Sequence, residues 1–305
     1  MSDIIKISVT IPTYNPNPVY IKEAIESVLT SGFDPLSMEL LVVDNCSEKV
    51  NVSKICNSYS AVKYIKNDKN LGMIGNWNRC IELAKGEFIH ILHDDDWIKD
   101  SFYTTLIEGF KNENICASFC RVAIYNQTND SYTMSEVIQT TDDVLDDWDL
   151  LGNTKYGHHM SYTIFRKSVL LKIGGFDEAF FYTADGILNS KLIQQGGIFY
   201  SPKILGFYRW CDSNNSHRVY SSTLGVKEIP RAIKEIVNNS KPKLKKKIMR
   251  FQKKQKSTYF FFRNFEYNRK NKSVFFAVLY YCFRISFFNT IALSVNLISQ
   301  KLRIK

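Results

Sequence analysis

The chain contains no Gly-x-Gly-x-x-Gly and no Gly-x-x-x-x-Gly-Lys-Ser/Thr in its 305 residues, so neither a dinucleotide fingerprint nor a P-loop is present. It also lacks Cys-x-x-Cys. Its seven cysteines (Cys46, Cys56, Cys80, Cys116, Cys120, Cys211 and Cys282) are odd in number and scattered. That argues against a zinc site or disulfide framework and for reduced, buried thiols. Glycine (14) and proline (7) are sparse, 45% of residues are apolar and 23% charged. Such a composition excludes collagen, disorder throughout and a polytopic membrane protein. No internal repeat occurs. The opening Met1-Ser2-Asp3-Ile4-Ile5-Lys6 has no basic region followed by an apolar core, so no secretory signal is expected and the body is expected to be cytoplasmic.

Net charge is +10, which on its own suggests a nucleic-acid binder. The distribution says otherwise. Residues 241–305 hold 17 Lys/Arg and one acid, Glu266, whereas residues 1–240 hold 23 Lys/Arg and 29 Asp/Glu. A mildly acidic body carries a strongly basic, aromatic tail.

Apolar patterning divides the body further. Residues 4–11, 38–43, 62–66 and 87–92 read as strands. Helical spacing appears over 18–31 (Ile21, Ala24, Ile25, Val28, Leu29), weakly over 50–60, and over 72–84 (Ile74, Trp77, Ile81, with Leu83 or Ala84). Four alternations in about 95 residues predict a mostly parallel sheet with helices on both faces. A helix near 101–111 and a strand near 115–125 follow, then polar loops and mixed structure to about 216. From about 228 the chain reads as helical.

Ligands of such sheets bind at the carboxyl ends of strands. Those ends carry Pro12-Thr13-Tyr14-Asn15, Asp44-Asn45 and His93-Asp94-Asp95-Asp96. Three adjacent carboxylates repel one another unless solvated or bound to a cation, and at a strand end they make a hard oxygen site for Mg²⁺ or Mn²⁺. The plainer reading is a solvated acidic turn or helix cap. Asp44 can accept from a base or ribose donor, or close an Asx-turn. Asp177 and Asp185 flank an aromatic stretch, where a carboxylate can serve as general base; alternatively Asp185 caps the helix beginning at Gly186. His158 and His159 are adjacent and point in different directions, which disfavours a shared metal.

Taken together these segments resemble the inverting glycosyltransferases of family 2, which have the GT-A fold. The resemblance covers roughly residues 5–216. Val9 to Asn15 is similar to the family's first strand and nucleotide-facing turn, and Val42 to Ser47 to the segment whose Asp reads the base. Asn70-Leu71-Gly72 with Asn76-Trp77-Asn78-Arg79 resembles the stretch that follows. Leu92 to Trp97 is similar to the DxD metal motif: Asp95 matches its final Asp, Asp94 and Asp96 flank it, and His93 stands at its first Asp. Gly174 to Glu178 resembles the acceptor-side segment, and Asp185 matches the catalytic base, with Ala184 in place of the preceding Glu. Tyr208-Arg209-Trp210-Cys211 with Ser216 resembles a late Tyr-Arg-x-His…Ser motif, with Cys211 in place of His.

The resemblance implies a nucleotide-binding half over 1–100, an acceptor-binding half over 101–216, and an extension over 217–305. It implies a nucleotide-sugar donor held by Pro12, Thr13, Tyr14, Asn15, Asp44, Asn70, Gly72, Asn76, Arg79, Asp94 and Arg209. It further implies Mn²⁺ or Mg²⁺ on Asp95 and Asp96, base catalysis by Asp185, and single-displacement inversion. The sugar would pass, most simply from a UDP-sugar, to a glycan or polyprenyl-linked acceptor in surface-polysaccharide assembly.

The tail contributes a second expectation. Residues 241–256 carry nine basic groups and no acid, and 274–299 are almost wholly apolar around Arg284. A central Arg costs a spanning helix about 3 kcal/mol. Helices lying on an anionic leaflet are therefore the expectation, placing the protein peripherally on the inner face of the membrane. Packing of the tail on the body or on another subunit, and a true membrane span, are the alternatives to that. Rival readings of the whole chain are a nucleic-acid-binding protein, which leaves the Asp cluster without a role, a nucleotidyltransferase, whose Gly-rich basic loop is missing here, and a non-catalytic relative.

Overall fold

In the computed structural model the described residues are 5–145, 160–211 and 224–240, with 242, 245 and 246. His158, His159, Ser216 and the apolar stretch 274–299 lie outside them, as does most of the basic run 241–256. The chain divides into two compact units, residues 1–211 and 212–305.

The first unit is built on one sheet. Strands β1 (Ile7–Thr13), β2 (Met38–Asp44), β3 (Val62–Lys66) and β4 (Phe88–Ile91) are parallel and ordered β3-β2-β1-β4. Strands buried on both sides read as near-continuous apolar runs, as β1 and β2 do. Helices α1 (Pro18–Leu29), α2 (Val52–Cys56) and α3 (Gly72–Leu83) connect them. Asn17 caps α1 by accepting from Val19 N at 2.9 Å, and Pro18 supplies its first turn.

Alternation along β1 separates two layers. Ile7, Val9 and Ile11 join Ile21, Ala24, Ile25 and Val28 of α1, residues of α2, and Phe102, Tyr103 and Leu106 of α4 (Phe102–Glu108) in one core. α3 covers the other face with Ile74, Trp77, Cys80 and Ile81, beside Thr10. Leu29, read as part of the apolar stripe, is 42% exposed because α1 ends there.

Beyond β4 the sheet becomes mixed. β9 (Thr163–Arg166) lies antiparallel to β4 and to β6 (Ile115–Asn126), and β10 (Gly197–Trp210) runs parallel to β6. Antiparallel β5 (Trp97–Ile98), β7 (Ser131–Met134) and β8 (Asp143–Leu145) complete it. The first half is thus parallel as expected, and beyond it parallel β6 and β10 are joined by antiparallel strands. Sequence periodicity gave no sign of β5, β9 or β10. Helix α5 (Lys167–Lys172) follows β9, and α6 (Ala184–Leu192) precedes β10.

In the second unit the described element is α7 (Leu224–Asn239). Among the described residues no helix is long and apolar enough to cross a membrane. Among the described residues no cysteine is in a disulfide: Cys56, Cys80, Cys116 and Cys120 are buried, Cys46 and Cys211 half-buried.

Candidate active site

Parallel pairing of β1 with β2 and β4 puts three carboxyl ends on one edge. Thr13 is level with Asp44, and Thr10 with Ile91, so the turn after β4 rises beside Thr13. The Thr13 hydroxyl donates to Asp94 Oδ2. Pro12 and Thr13 are buried, while Tyr14 is 50% exposed. Asn15 adopts φ 49°, a left-handed conformation that asparagine tolerates. Its N–H donates to Ser47 Oγ (2.8 Å), and its Oδ1 accepts from Glu48 N (3.0 Å) and Lys49 N (2.8 Å). This stitches the β1 and β2 turns together.

Asp44 is buried, accepting from Ser47 N (2.8 Å) and Tyr64 Oη (2.7 Å). Burial, with the Asp44 bond next, raises the Tyr64 hydroxyl above its ordinary range and keeps it a donor. Next to it lies an asparagine cluster. Buried Asn45 donates to Asn70 Oδ1 (2.9 Å) and the Gly72 carbonyl (3.1 Å) and accepts from Leu71 N (2.8 Å). Asn67 donates to Asn76 Oδ1 (2.8 Å), and Asn76 donates to the Val43 carbonyl (3.1 Å). Asn76 is therefore occupied in tying the start of α3 to β2. Gly72, at φ 77°, has its N–H on Asn70 Oδ1 at 2.8 Å. Arg79 lies roughly 200° around α3 from Trp77 and pairs with Glu82 (2.8 Å) beside a shallow pocket lined by Leu71, Gly75, Asn78 and Glu178.

The acidic turn forms the middle of the edge. His93, Asp95 and Asp96 offer ligand atoms within 4.8 Å of one another. Asp96 is 1% exposed; its Oδ1 accepts from Arg209 N (3.1 Å), and its Oδ2 lies 3.6 Å from His93 Nδ1. The Ser161 and Tyr162 hydroxyls are near it, yet Oδ2 receives no hydrogen bond of normal geometry. Burial, then Asp95, pushes the Asp94 carboxyl up to about 7 and that of Asp96 well above the usual carboxylate range. A cation here would relieve both effects, and the oxygen-rich donor set with one buried carboxylate oxygen left over suits a divalent ion.

Two supporting residues had no motif to reveal them. Ser161 accepts from His93 N on its hydroxyl (3.0 Å), and its carbonyl accepts from His90 Nε2 (2.8 Å). Burial holds the His90 ring down to about 4, so it is neutral, with Nδ1 facing the Tyr103 hydroxyl at 3.1 Å. Trp77, read as core, stacks on His93 (centroids 5.4 Å, 14°) and meets Phe176 edge-on at 5.2 Å.

Arg209, expected on a diphosphate, makes two side-chain hydrogen bonds within the protein. It is 6% exposed, with Nε on the Asp95 carbonyl (3.0 Å) and Nη2 on Glu23. Its guanidinium lies over Tyr20 (4.2 Å), Trp97 (4.7 Å) and Tyr125 (5.8 Å). A cation so enclosed clamps the acidic turn to β10 and α1.

In the segment expected to face the acceptor, Asn78 pairs with the Phe176 backbone, accepting its N–H (2.8 Å) and donating to its carbonyl (3.0 Å). The 174–178 segment that leads to α6 is thereby fastened to α3. Asp185 is half-buried in the first turn of α6, bonded to Gly186 N (2.7 Å). The helix starts two residues earlier than expected, and Thr183 holds the cap position. Ala184 beside it is buried.

Comparison with known proteins matches residues 8–174 to the model described as Glycosyl transferase family 2. A Campylobacter jejuni relative, GalNAc(5)-diNAcBac-PP-undecaprenol beta-1,3-glucosyltransferase, is 30% identical over 254 residues, covering 79% of this chain and 78% of its own. The uncharacterised Sinorhizobium fredii protein y4gI is 24% identical over 77% of this chain, which spans only 26% of it. Staphylococcus aureus TarS 1-349 in complex with UDP-GlcNAc shares the fold, with TM-score 0.67 at 18% identity over 94% of this chain and 83% of that one. The family match covers more than half of the chain and coincides with the strand edge that gathers Thr13, Asp44 and the acidic turn: this chain is a glycosyltransferase and belongs to glycosyl transferase family 2.

Proposed function

We propose that the chain is an inverting, metal-dependent transferase that moves a sugar from a UDP-sugar to a glycan or polyprenyl-linked acceptor in surface-polysaccharide assembly. The observation that carries this reading is the meeting of Thr13, Asp44 and His93 to Asp96 at adjacent carboxyl strand ends. The complexes of TarS 1-349 with UDP-GlcNAc and with UDP support the donor class. The undecaprenol-linked substrate in the Campylobacter relative's name supports the acceptor class.

Asp44 and the asparagine cluster form a fixed polar wall suited to the base and ribose. Asn15 and Thr13 shape the turn facing the phosphates. Asp95 and Asp96 would hold Mn²⁺ or Mg²⁺, which when bound offsets the negative charge growing on the departing diphosphate. Asp185 takes the acceptor hydroxyl proton as that oxygen bonds to the anomeric carbon. The bond to the diphosphate oxygen breaks on the opposite face, so one displacement inverts the centre. The basic tail would bring the enzyme to an anionic leaflet bearing the lipid-linked acceptor.

Asp185→Asn tests the assignment. Transfer should fall by about 10²–10⁴-fold, while UDP binding by calorimetry stays within about twofold. Wild-type turnover in the variant would remove Asp185 from the role. A nucleotide-sugar panel assayed for hydrolysis with and without Mn²⁺ identifies the donor.

A further inference from the structure

The proposed metal reading leaves His93 unassigned, although its ring stacks on Trp77 and faces Asp96 within the acidic turn. We infer that His93 is itself a metal ligand, binding through Nδ1 alongside Asp95 and Asp96, and that this nitrogen makes the site prefer Mn²⁺ over Mg²⁺. The inference rests on the divalent-ion site proposed above and adds the ligand that sets its selectivity.

Three observations converge. First, His93 Nδ1 stands 3.6 Å from Asp96 Oδ2, and ligand atoms of all three residues fall within 4.8 Å of one another. Two adjacent ligands on one ion, with bonds of about 2.0–2.2 Å, lie roughly 3–3.5 Å apart, so little movement is required. Second, Asp96 is 1% exposed and its Oδ2, the atom facing the ring, takes no hydrogen bond of normal geometry. With only the Ser161 and Tyr162 hydroxyls near it, a buried carboxylate oxygen in that state is open to a cation on this side. Third, the imidazole is held in advance. Its plane is set by the stack on Trp77, and its backbone N–H is held by Ser161 Oγ at 3.0 Å. The stack limits the ring's rotation and the Ser161 bond fixes the backbone that carries it, so both reduce the movement needed to bind an ion.

Donor chemistry then sets the preference. Mg²⁺ demands near-ideal octahedral oxygen coordination and keeps its water shell. Mn²⁺ also takes oxygen ligands but, as a transition ion, gains more from an imidazole nitrogen than Mg²⁺ does. A carboxylate at position 93 would make the site all-oxygen; the imidazole makes it mixed. The competing account is that His93 carries a proton and simply pairs with Asp96, with no part in metal binding.

Mn²⁺ bound to the full chain with UDP decides between them by pulsed electron paramagnetic resonance. A directly bound imidazole gives ¹⁴N coupling, which becomes ¹⁵N coupling when histidine is isotopically labelled. We expect that coupling in wild type and its loss in His93→Asp. By calorimetry the Mn²⁺ to Mg²⁺ affinity ratio should fall roughly tenfold in the variant, the lower end of what ligand-shell changes cause. The wild-type spectrum stands alone if His93→Asp does not fold. Mn²⁺ bound without nitrogen coupling, or a ratio unchanged in a folded variant, overturns this inference while leaving the metal site intact. If wild type binds neither ion, the metal reading itself falls, and this inference with it.

Discussion

Asp94 and His90 respond to acid in opposite directions although only four residues separate them. Burial and Asp95 push the Asp94 carboxyl up from 3.8 to about 7, so the folded protein holds a proton there that the unfolded chain has lost. That penalty on folding is full above about pH 7 and gone below about pH 4. His90 is held down from 6.5 to about 4, so its contribution is full above 6.5 and lost as pH falls toward 4. Asp94→Asn keeps an acceptor for the Thr13 hydroxyl and removes the carboxylate penalty. The metal-free variant should be more stable than wild type at about pH 7.5 by about 1–2 kcal/mol, or roughly 2–6 °C in Tm. The gain should vanish by about pH 4, leaving both proteins on the His90 slope; thermal unfolding across pH checks this, and a gain independent of pH would refute it. Arg209 carries a second residue-scale expectation. Arg209→Met removes the clamp between the Asp95 carbonyl, Glu23 and the Tyr20 and Trp97 rings, and because Glu23 is 46% exposed it should cost about 1–2 kcal/mol by chemical denaturation. Sequence pattern marked Arg209 as important but not its direction, because what consumes its donors, Glu23 and the Asp95 carbonyl, lies 186 and 114 residues away.

At the scale of elements, α3 is the part the sequence described best and whose use it described least. Its apolar spacing gave the buried face at Ile74, Trp77, Ile81 and Ala84. Nothing in that spacing says that Trp77 lies between His93 and Phe176, or that Asn78 holds a segment 98 residues later. Strands β1 to β4 were legible as apolar runs with a polar end. β10 was not: polar and glycine positions interrupt it, and its pairing with β6 shifts register near Ser201, Ile204 and Gly206, so no period persists. β5, with two residues, has no periodicity to read. The Asn78 clamp has a sharp test in Gly175, whose φ is 65° and where a Cβ would come within 2.7 Å of Asn78 Oδ1. Gly175→Ala should cost about 1–3 kcal/mol from backbone strain alone. It should also lower kcat for transfer more than UDP affinity, since the proposed function puts the disturbed segment on the acceptor side. Equal loss in both would show that the segment matters only for folding.

For the molecule as a whole, the +10 charge combines an acidic body with a basic tail that do different work in the proposed reaction. In flotation with anionic vesicles the full chain should rise with the lipid at low salt and be released as salt screens its Lys and Arg. Replacing the nine basic residues of 241–256 by Gln should abolish flotation without altering hydrolysis of the donor, and a wild-type chain that stays with the soluble fraction would end the membrane reading. The stack of Trp77 on His93 also has an optical consequence. An indole lying 5.4 Å from an imidazole is quenched to a degree that depends on the ring's charge. Its emission should therefore change when the ring gains a proton or an ion, and again when Phe176, packed on its other edge, shifts with an arriving acceptor. In the proposed reaction Trp77 would touch both the donor-side turn and the acceptor-side segment, so the part of the emission that a Trp77→Phe variant loses, among the chain's four tryptophans, should report the filling of either side.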